Sequence, residues 1–250
     1  MKNRSFIFTA VVASLLCVSC TKTQTTLSEN ERPFNPPIMG WSSWNAFLVD
    51  ISEDIIKHQA DLLVEKGLKD AGYQYINVDD GYFGKRDENG VMQANEKRFP
   101  NGMKPVADHI HSLGMKAGLY TDAGTRTCGS LWNKDSIGIG AGIYGHEPQD
   151  AQLYFGDWGF DFIKIDYCGG EVLGLDEKER YTSIRNSIDK VNKNVSINIC
   201  RWAYPGTWAK DAATSWRISG DINAHWNSLK YVVGKNLYLS AYAGNGHYND

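Results

Sequence analysis

The chain has 250 residues, of which 42% are hydrophobic and 22% are charged, a balance typical of a protein with a sizeable folded core. Its formal net charge is −3 and no run of basic residues stands out, which argues against nucleic acid as a partner. Several of its eight tryptophans and thirteen tyrosines stand beside glycine in predicted loops. Such rings are typical of sugar-binding sites, because a ring face stacks on C–H groups, although core aromatics produce the same composition.

Residues 1–20 have the pattern of a targeting segment. Basic residues precede an apolar run at 6–18, and Ser19 stands directly before Cys20, as in a bacterial lipoprotein signal. We therefore expect export to the periplasm or cell surface with a lipid anchor on Cys20, the alternative being simple cleavage and release. Residues 21–33 are polar without periodicity and predict a flexible tether. No later run approaches the ~20 apolar residues of a membrane span, so membrane contact is predicted through the anchor alone.

The remaining cysteines fit an oxidising compartment. Cys17 and Cys20 belong to the leader, which leaves Cys128, Cys168 and Cys200 in the folded part. One pair and one free thiol are expected from three cysteines in an exported protein. Cys128 and Cys168 both follow predicted strands, so we predict that they pair, whereas Cys200 ends an apolar strand and is predicted to be a buried free thiol.

Residues 34–250 alternate strand-like and helix-like segments, the rhythm of βα units. The predicted strands are 37–41, 73–79, 116–120, a fourth within 160–170, 195–200 and 215–218. The predicted helices are 52–66, 104–113, 147–155, 177–191, 207–213 and 226–233. A glycine-rich stretch at 121–145 predicts a long loop, and an apolar run at 237–242 is the candidate for one more strand.

No pair of predicted strands is joined by a turn of hairpin length, so a parallel sheet is expected. An open doubly wound sheet and a (β/α)8 barrel both fit this order. The barrel is favoured because polar residues collect at or just beyond the carboxyl ends of the strands, where such barrels hold their sites. These residues are Trp44, Asp79, Asp80, Tyr120, Lys164, Asp166, Arg201 and Asp221. Six or seven strands are predicted out of eight, so the chain is expected to hold a barrel cut before its last strands.

The stretch FDFIKIDYCGG at 160–170 carries Lys164 and Asp166 near the end of a buried strand. Apolar neighbours exclude water, so each charge needs a partner or a ligand, and a structural Lys–Asp pair is the alternative to a catalytic one. Asp166 and Asp221 on different strand ends are what a retaining glycosidase requires, one carboxylate attacking the anomeric carbon and the other protonating the leaving oxygen. The six histidines are scattered, so no metal site is predicted.

The adjacent Asp79 and Asp80 follow the second strand. Sugar hydroxyls donate hydrogen bonds to such a carboxylate pair, while a helix cap or turn is the alternative role for Asp80. The run GAGIYG at 140–145 matches the dinucleotide-binding pattern. It does not follow an apolar strand, so neither a nicotinamide nor a flavin role is predicted.

Five separated motifs occur along the chain in the order MGWSSWN at 39–45, DDGY at 79–82, GLY at 118–120, KIDYC at 164–168 and WRISGDI at 216–222. Together they closely resemble the α-galactosidase (melibiase) family, glycoside hydrolase family 27. The resemblance covers 37–250. It implies a (β/α)8 catalytic barrel that removes terminal α-linked galactose from oligosaccharides or glycans by double displacement, without a cofactor. It also implies further strands and usually a C-terminal antiparallel β domain beyond residue 250.

Carried over by motif, the resemblance implies that Asp166 is the nucleophile and Asp221 the general acid/base. The implied galactose-pocket positions are Trp44, Asp79, Asp80, Tyr120, Lys164 and Arg217, bordered by Cys128, Cys168 and Trp202. Cys128 and Cys168 also match a family disulfide. Because Asp221 must be protonated in the first step, its surroundings are expected to disfavour the charge more than those of Asp166 do.

One departure concerns the substrate. Many members have Cys-Glu-Trp where this chain has Cys200-Arg201-Trp202, which reverses a charge near the sugar 2-position. The related α-N-acetylgalactosaminidase and β-L-arabinopyranosidase activities therefore stay open as alternatives. So do a non-catalytic galactose-binding lipoprotein and a non-functional fragment, since an open barrel exposes strand edges and interior. The sequence makes no prediction of oligomeric state.

Overall fold

The computed structural model describes residues 36–244 and 246–250. The leader, the tether and Cys20 lie outside the described residues. Seven strands form one sheet, in which all neighbouring strands run parallel and the order is β1-β2-β5-β6-β7-β8-β9. They are β1 (Gly40–Ser42), β2 (Tyr75–Asn77), β5 (Lys116–Asp122), β6 (Phe162–Asp166), β7 (Ser196–Cys200), β8 (Ser215–Trp216) and β9 (Tyr248–Asn249).

Helices lie between the strands. They are α1 (Trp44–Phe47), α2 (Glu53–Glu65), α3 (Lys104–Ser112), α4 (Cys128–Trp132), α5 (Glu147–Ala151), α6 (Cys168–Val172), α7 (Glu177–Asp189), α8 (Ala209–Ala212) and α9 (Trp226–Asn236). The longer ones begin where the sequence predicts. Ser52 caps α2 by accepting a hydrogen bond from the amide of Ile55, and Asp176 caps α7 by accepting from the amide of Glu179; each satisfies an otherwise unpaired amide. Within the described part of the chain, no helix is long and apolar enough to cross a membrane.

The central strands are buried on both faces, as parallel sheets covered by helices are. Side chains such as Ile76, Leu119, Ile163 and Ile199 are at most 1% exposed. The sheet is curled. Trp44 follows β1 and Asp221 follows β8, far apart in the strand order, yet both line one cavity.

Two expectations about the elements are wrong. A hairpin of β3 (Phe83–Arg86) and β4 (Met92–Ala94) stands in the connection between β2 and α3, where no hairpin was predicted. Arg86 connects this hairpin to α5, because its guanidinium donates to both carboxylate oxygens of Asp150 at 2.7 Å. The run at 237–242 is not a strand, since Ser240–Tyr242 form a 3₁₀ turn. The strand next to β8 is instead β9.

Candidate active site

The carboxyl ends of the parallel strands surround a cavity of about 460 Å³, within the range of small-molecule sites. Its lining residues come from the carboxyl-terminal parts of β5, β6 and β7 and from the segments that follow β1, β5, β6, β7 and β8. They are Trp44, Leu48, Tyr120, Cys128, Trp132, Asn133, Lys164, Asp166, Cys168, Cys200, Trp202, Arg217 and Asp221. Three of the predicted strand-end residues, Asp79, Asp80 and Arg201, do not line this cavity, and Asp79 borders a second opening.

Asp166 is the last residue of β6 and is 5% exposed. Among the described residues its Oδ1 oxygen has no hydrogen-bond partner, although the side chain lines the cavity. Burial raises the pKa of Asp166, while the positive charge of Lys164 acts in the opposite direction. A buried carboxylate with an unsatisfied oxygen is costly, so the protein keeps this oxygen free at an energetic cost, which is common at functional sites.

Asp221 stands at the rim of the same cavity. Its carboxylate lies 2.5 Å from Nη1 of Arg217, and its side chain is 79% exposed. Arg217 also donates to the backbone carbonyl of Ser219 at 3.1 Å, so the guanidinium fixes the loop that carries Asp221. The expectation that the surroundings of Asp221 disfavour charge more than those of Asp166 is wrong for burial: Asp166 is enclosed and Asp221 faces solvent.

Asp79 and Lys164 form an ion pair beneath the cavity. The Nζ of Lys164 lies 3.0 Å from Oδ2 of Asp79, which also accepts a hydrogen bond from Ser42 at 3.0 Å. Oδ1 of Asp79 accepts from the amide of Asp80. Burial lowers the pKa of Lys164, but Asp79, Cys200 and Asp166 together raise it by more, so the net direction is upward. Asp79 borders a second opening beside Trp44 and Asp221.

Asp80 is 1% exposed and lines neither opening. Its Oδ2 accepts a hydrogen bond from the amide of Gly129 at 2.9 Å, so it supports the beginning of α4. Burial raises the pKa of Asp80 to about 7, and the neighbouring Asp79 acts in the same direction. Asp80 therefore holds the first turn of α4 from a distant segment, and the N-cap of that helix is Thr127.

The predicted disulfide is confirmed. Cys128 and Cys168 are bonded, with Cα atoms 5.2 Å apart, and Cys200 is a buried free cysteine. Asp122 joins the two sulfurs in a group whose potential ligand atoms lie within 4.8 Å of one another. The sulfurs are already bonded to each other and supply no thiolate, so this group does not fit a metal ion.

Sequence reasoning missed Asp122, a fully buried carboxylate at the end of β5. It accepts hydrogen bonds from the amides of Gly124 at 2.7 Å and Gly169 at 3.0 Å. The two loops meet here so closely that a Cβ on Gly124 would lie 2.1 Å from the backbone of Gly169. Burial raises the pKa of Asp122 to about 7, with Asp166 acting in the same direction. The glycines of CGG at 168–170 are the feature of the sequence that could have indicated this close approach of the two loops.

Arg201 does not line the cavity. Its Nε binds Glu177 at 2.5 Å, and its guanidinium lies 5.3 Å from the ring centre of Tyr167 and 5.0 Å from that of Trp202. The positive charge of Arg201, which departs from the family pattern, is therefore paired with Glu177 and lies outside the cavity lining. Cys200 and Trp202, on either side of it, face the cavity.

Known proteins resemble this chain over most of its length. A family model described as alpha galactosidase A matches residues 36–250. The chain belongs to the alpha-galactosidase A family. It is 37% identical over 263 residues to an alpha-galactosidase A of Cellvibrio japonicus, covering 100% of this chain and 61% of that protein. It is 41% identical over 227 residues to an alpha-galactosidase of Cyamopsis tetragonoloba, covering 90% and 52%.

Among solved structures, the alpha-galactosidase of Saccharomyces cerevisiae with raffinose matches with a TM-score of 0.74 and 32% identity, over 86% of this chain and 51% of that one. This likeness, together with the curled parallel sheet, confirms the (β/α)8 barrel class. The chain spans about half to three fifths of the length of these family members.

Proposed function

We propose that this family member is a retaining glycoside hydrolase that removes terminal α-linked galactose from oligosaccharides or glycans. The observation that carries the proposal is that two carboxylates from different strand ends, Asp166 and Asp221, line one cavity. A double displacement needs one carboxylate that can reach an anomeric carbon and a second that exchanges protons with the leaving group and then with water.

In the first step, Asp166 attacks the anomeric carbon, the glycosidic C–O bond breaks, and Asp221 gives its proton to the departing oxygen. In the second step, Asp221 takes a proton from water, and the resulting oxygen displaces Asp166. Lys164 supports the first step, because its positive charge opposes the effect of burial on Asp166. The exposed position of Asp221 gives water access for the second step. This chemistry uses no cofactor.

Galactose is proposed as the sugar because the relatives are alpha-galactosidases and one of them is described with raffinose. Arg201 adds no charge to the cavity, since it is turned to Glu177. Its substitution for glutamate therefore gives no physical reason to prefer another sugar.

The test compares the unaltered chain with Asp166→Asn and Asp221→Ala on α-galactosides. Asp166→Asn should abolish turnover yet still bind galactose in calorimetry, and Asp221→Ala should lose about 10²- to 10⁴-fold on substrates with poor leaving groups. NMR of the first product formed should show the α-anomer. Asp108→Asn, a change at an exposed helix position, is the matched control and should retain activity. Full activity of Asp166→Asn would overturn the nucleophile assignment, and galactose binding without hydrolysis by the unaltered chain would favour a binding protein.

Export with a lipid anchor on Cys20 is part of the same proposal. It is supported by the leader pattern at 1–20 and by the Cys128–Cys168 disulfide, which suits an oxidising compartment. Cys20→Ser should move the protein from the membrane fraction to the soluble fraction after cell lysis. An unchanged distribution would contradict the anchor.

A further inference from the structure

Two large apolar side chains stand exposed at the cavity without a role in the proposed reaction. Trp132 is 74% exposed and Leu48 is 46% exposed, and both line the cavity that holds Asp166 and Asp221. Large apolar groups at an open cavity are costly to leave in water, so an exposed pair beside a catalytic site indicates a surface that substrate covers.

Trp132 is held in place by an anchored element. It is the last residue of α4, and the first turn of that helix has three ties to the walls of the site. The Cys128 amide donates to the Tyr120 hydroxyl at 3.2 Å, the Gly129 amide donates to Asp80 at 2.9 Å, and the disulfide links Cys128 to the first residue of α6, Cys168. The helix is therefore fixed at its origin, and its exposed tryptophan is presented in a defined position.

The backbone of Leu48 is strained, which is an observation independent of its exposure. Its backbone has φ of 50° and ψ of −128°, a conformation that is unfavourable for a leucine. The turn is held by a hydrogen bond from the Leu48 amide to the Trp44 carbonyl at 2.8 Å. Backbone strain of this kind persists where the surrounding structure enforces it, and it often marks ligand-contacting positions. Here the strained residue borders the cavity from the β1 side, next to Trp44.

We propose that Trp132, with Leu48, forms a second sugar subsite that holds the saccharide unit bonded to the terminal galactose. The aromatic ring stacks on the C–H face of that unit, and Leu48 covers its apolar edge. This inference rests on the proposed function, because the terminal sugar occupies the part of the cavity nearest Asp166. The preferred substrates are therefore galactosides whose leaving group is another sugar ring.

The test compares melibiose, whose leaving group is glucose, with methyl α-D-galactopyranoside, which has no second ring. Trp132→Ala should lower kcat/KM for melibiose about five- to tenfold and change that for the methyl glycoside less than about twofold, because only the disaccharide reaches the ring. Leu48→Ala should have the same selectivity with a smaller loss of about two- to threefold. Trp132→Tyr, which keeps an aromatic face, should restore most of the melibiose activity.

Trp226→Ala is the matched control. Trp226 is 70% exposed, close to the exposure of Trp132, but does not line the cavity, so its removal should leave both rates unchanged. Melting temperatures of the variants should stay near that of the unaltered chain, since both tryptophans face solvent. If the unaltered chain hydrolyses both glycosides and Trp132→Ala keeps the original ratio of rates, the subsite is overturned and the proposed function stands. If the unaltered chain neither hydrolyses nor binds either glycoside, both fail.

Discussion

The ammonium of Lys164, on β6, lies 3.0 Å from the carboxylate of Asp79, which follows β2, across the strand that separates them in the sheet. Asp79 is 3% exposed, and its side chain also accepts hydrogen bonds from Ser42 and from the amide of Asp80. The pair thus holds the ends of two non-adjacent strands at a fixed separation beneath the cavity. It also places a positive charge beside Asp166.

Removing one member of the Lys164–Asp79 ion pair should destabilise the protein, because the other member keeps its charge without a partner. We expect Lys164→Met to lower the free energy of unfolding by about 3 kcal/mol, because it leaves the buried Asp79 carboxylate without a counter-charge. Urea unfolding measures this change. Lys104→Met is the control, since its pair with Asp108 is exposed on α3 and should matter by less than about 0.5 kcal/mol. Asp79→Asn combined with Lys164→Met should destabilise by less than the sum of the single changes; strict additivity would argue against coupling.

The buried carboxyl group of Asp122 should make stability depend on pH. Burial raises its pKa in the folded chain to about 7, whereas the pKa of aspartate in an unfolded chain is about 4. Between these values the folded chain holds a proton that the unfolded chain releases, so the free energy of unfolding should fall as pH rises from 4 to 7. The contribution is at most about 1.4 kcal/mol per pH unit.

Asp122→Asn should remove this contribution, so the difference in unfolding free energy between the unaltered chain and the variant should change across pH 4 to 7 and level off above pH 7. Asp108→Asn provides the control, because that carboxylate is exposed and pairs with Lys104, which stays charged over this range. A constant difference across the whole range would show that Asp122 titrates at its ordinary pKa.

The disulfide should contribute substantially to stability. It closes a sequence separation of 40 residues, for which loop entropy predicts about 4 kcal/mol. We therefore expect the double change of Cys128 and Cys168 to serine to lower the urea midpoint. Reductant should destabilise the unaltered chain in the same way and leave the variant unaffected. An unaltered chain that keeps its midpoint after full reduction would contradict this expectation.

The contacts of Arg201 with Glu177 and Trp202 should help to hold Trp202 in its position at the cavity. Arg201→Ala removes the ion pair with Glu177 and the cation beside Trp202, so we expect KM for an α-galactoside to rise several-fold with kcat changed less. Arg201→Lys keeps a charge but lacks the flat guanidinium and should give an intermediate KM. Steady-state kinetics decide this, and an unchanged KM in Arg201→Ala would show that the loop holds its shape without these contacts.

The amino-acid sequence alone determined the order of the main alternating strands and helices, because apolar periodicity and caps such as Ser52 act locally. It did not predict the hairpin of β3 and β4 or the strand β9. It also determined which strand ends carry the polar groups, and therefore that Asp166, Asp221 and Trp44 meet. The carboxyl ends of parallel strands lie on one face, so residues placed there by local pattern converge once the sheet curls.

Only the tertiary structure decided how each of these groups is used. The burial of Asp166 against the exposure of Asp221, the turn of Arg201 away from the cavity and the support of α4 by Asp80 depend on contacts between segments 24 to 85 residues apart. Asp122, Leu48 and Trp132 carry no motif of their own. Their roles come from packing between loops, whose contacts are non-local and leave no periodic signal in the sequence.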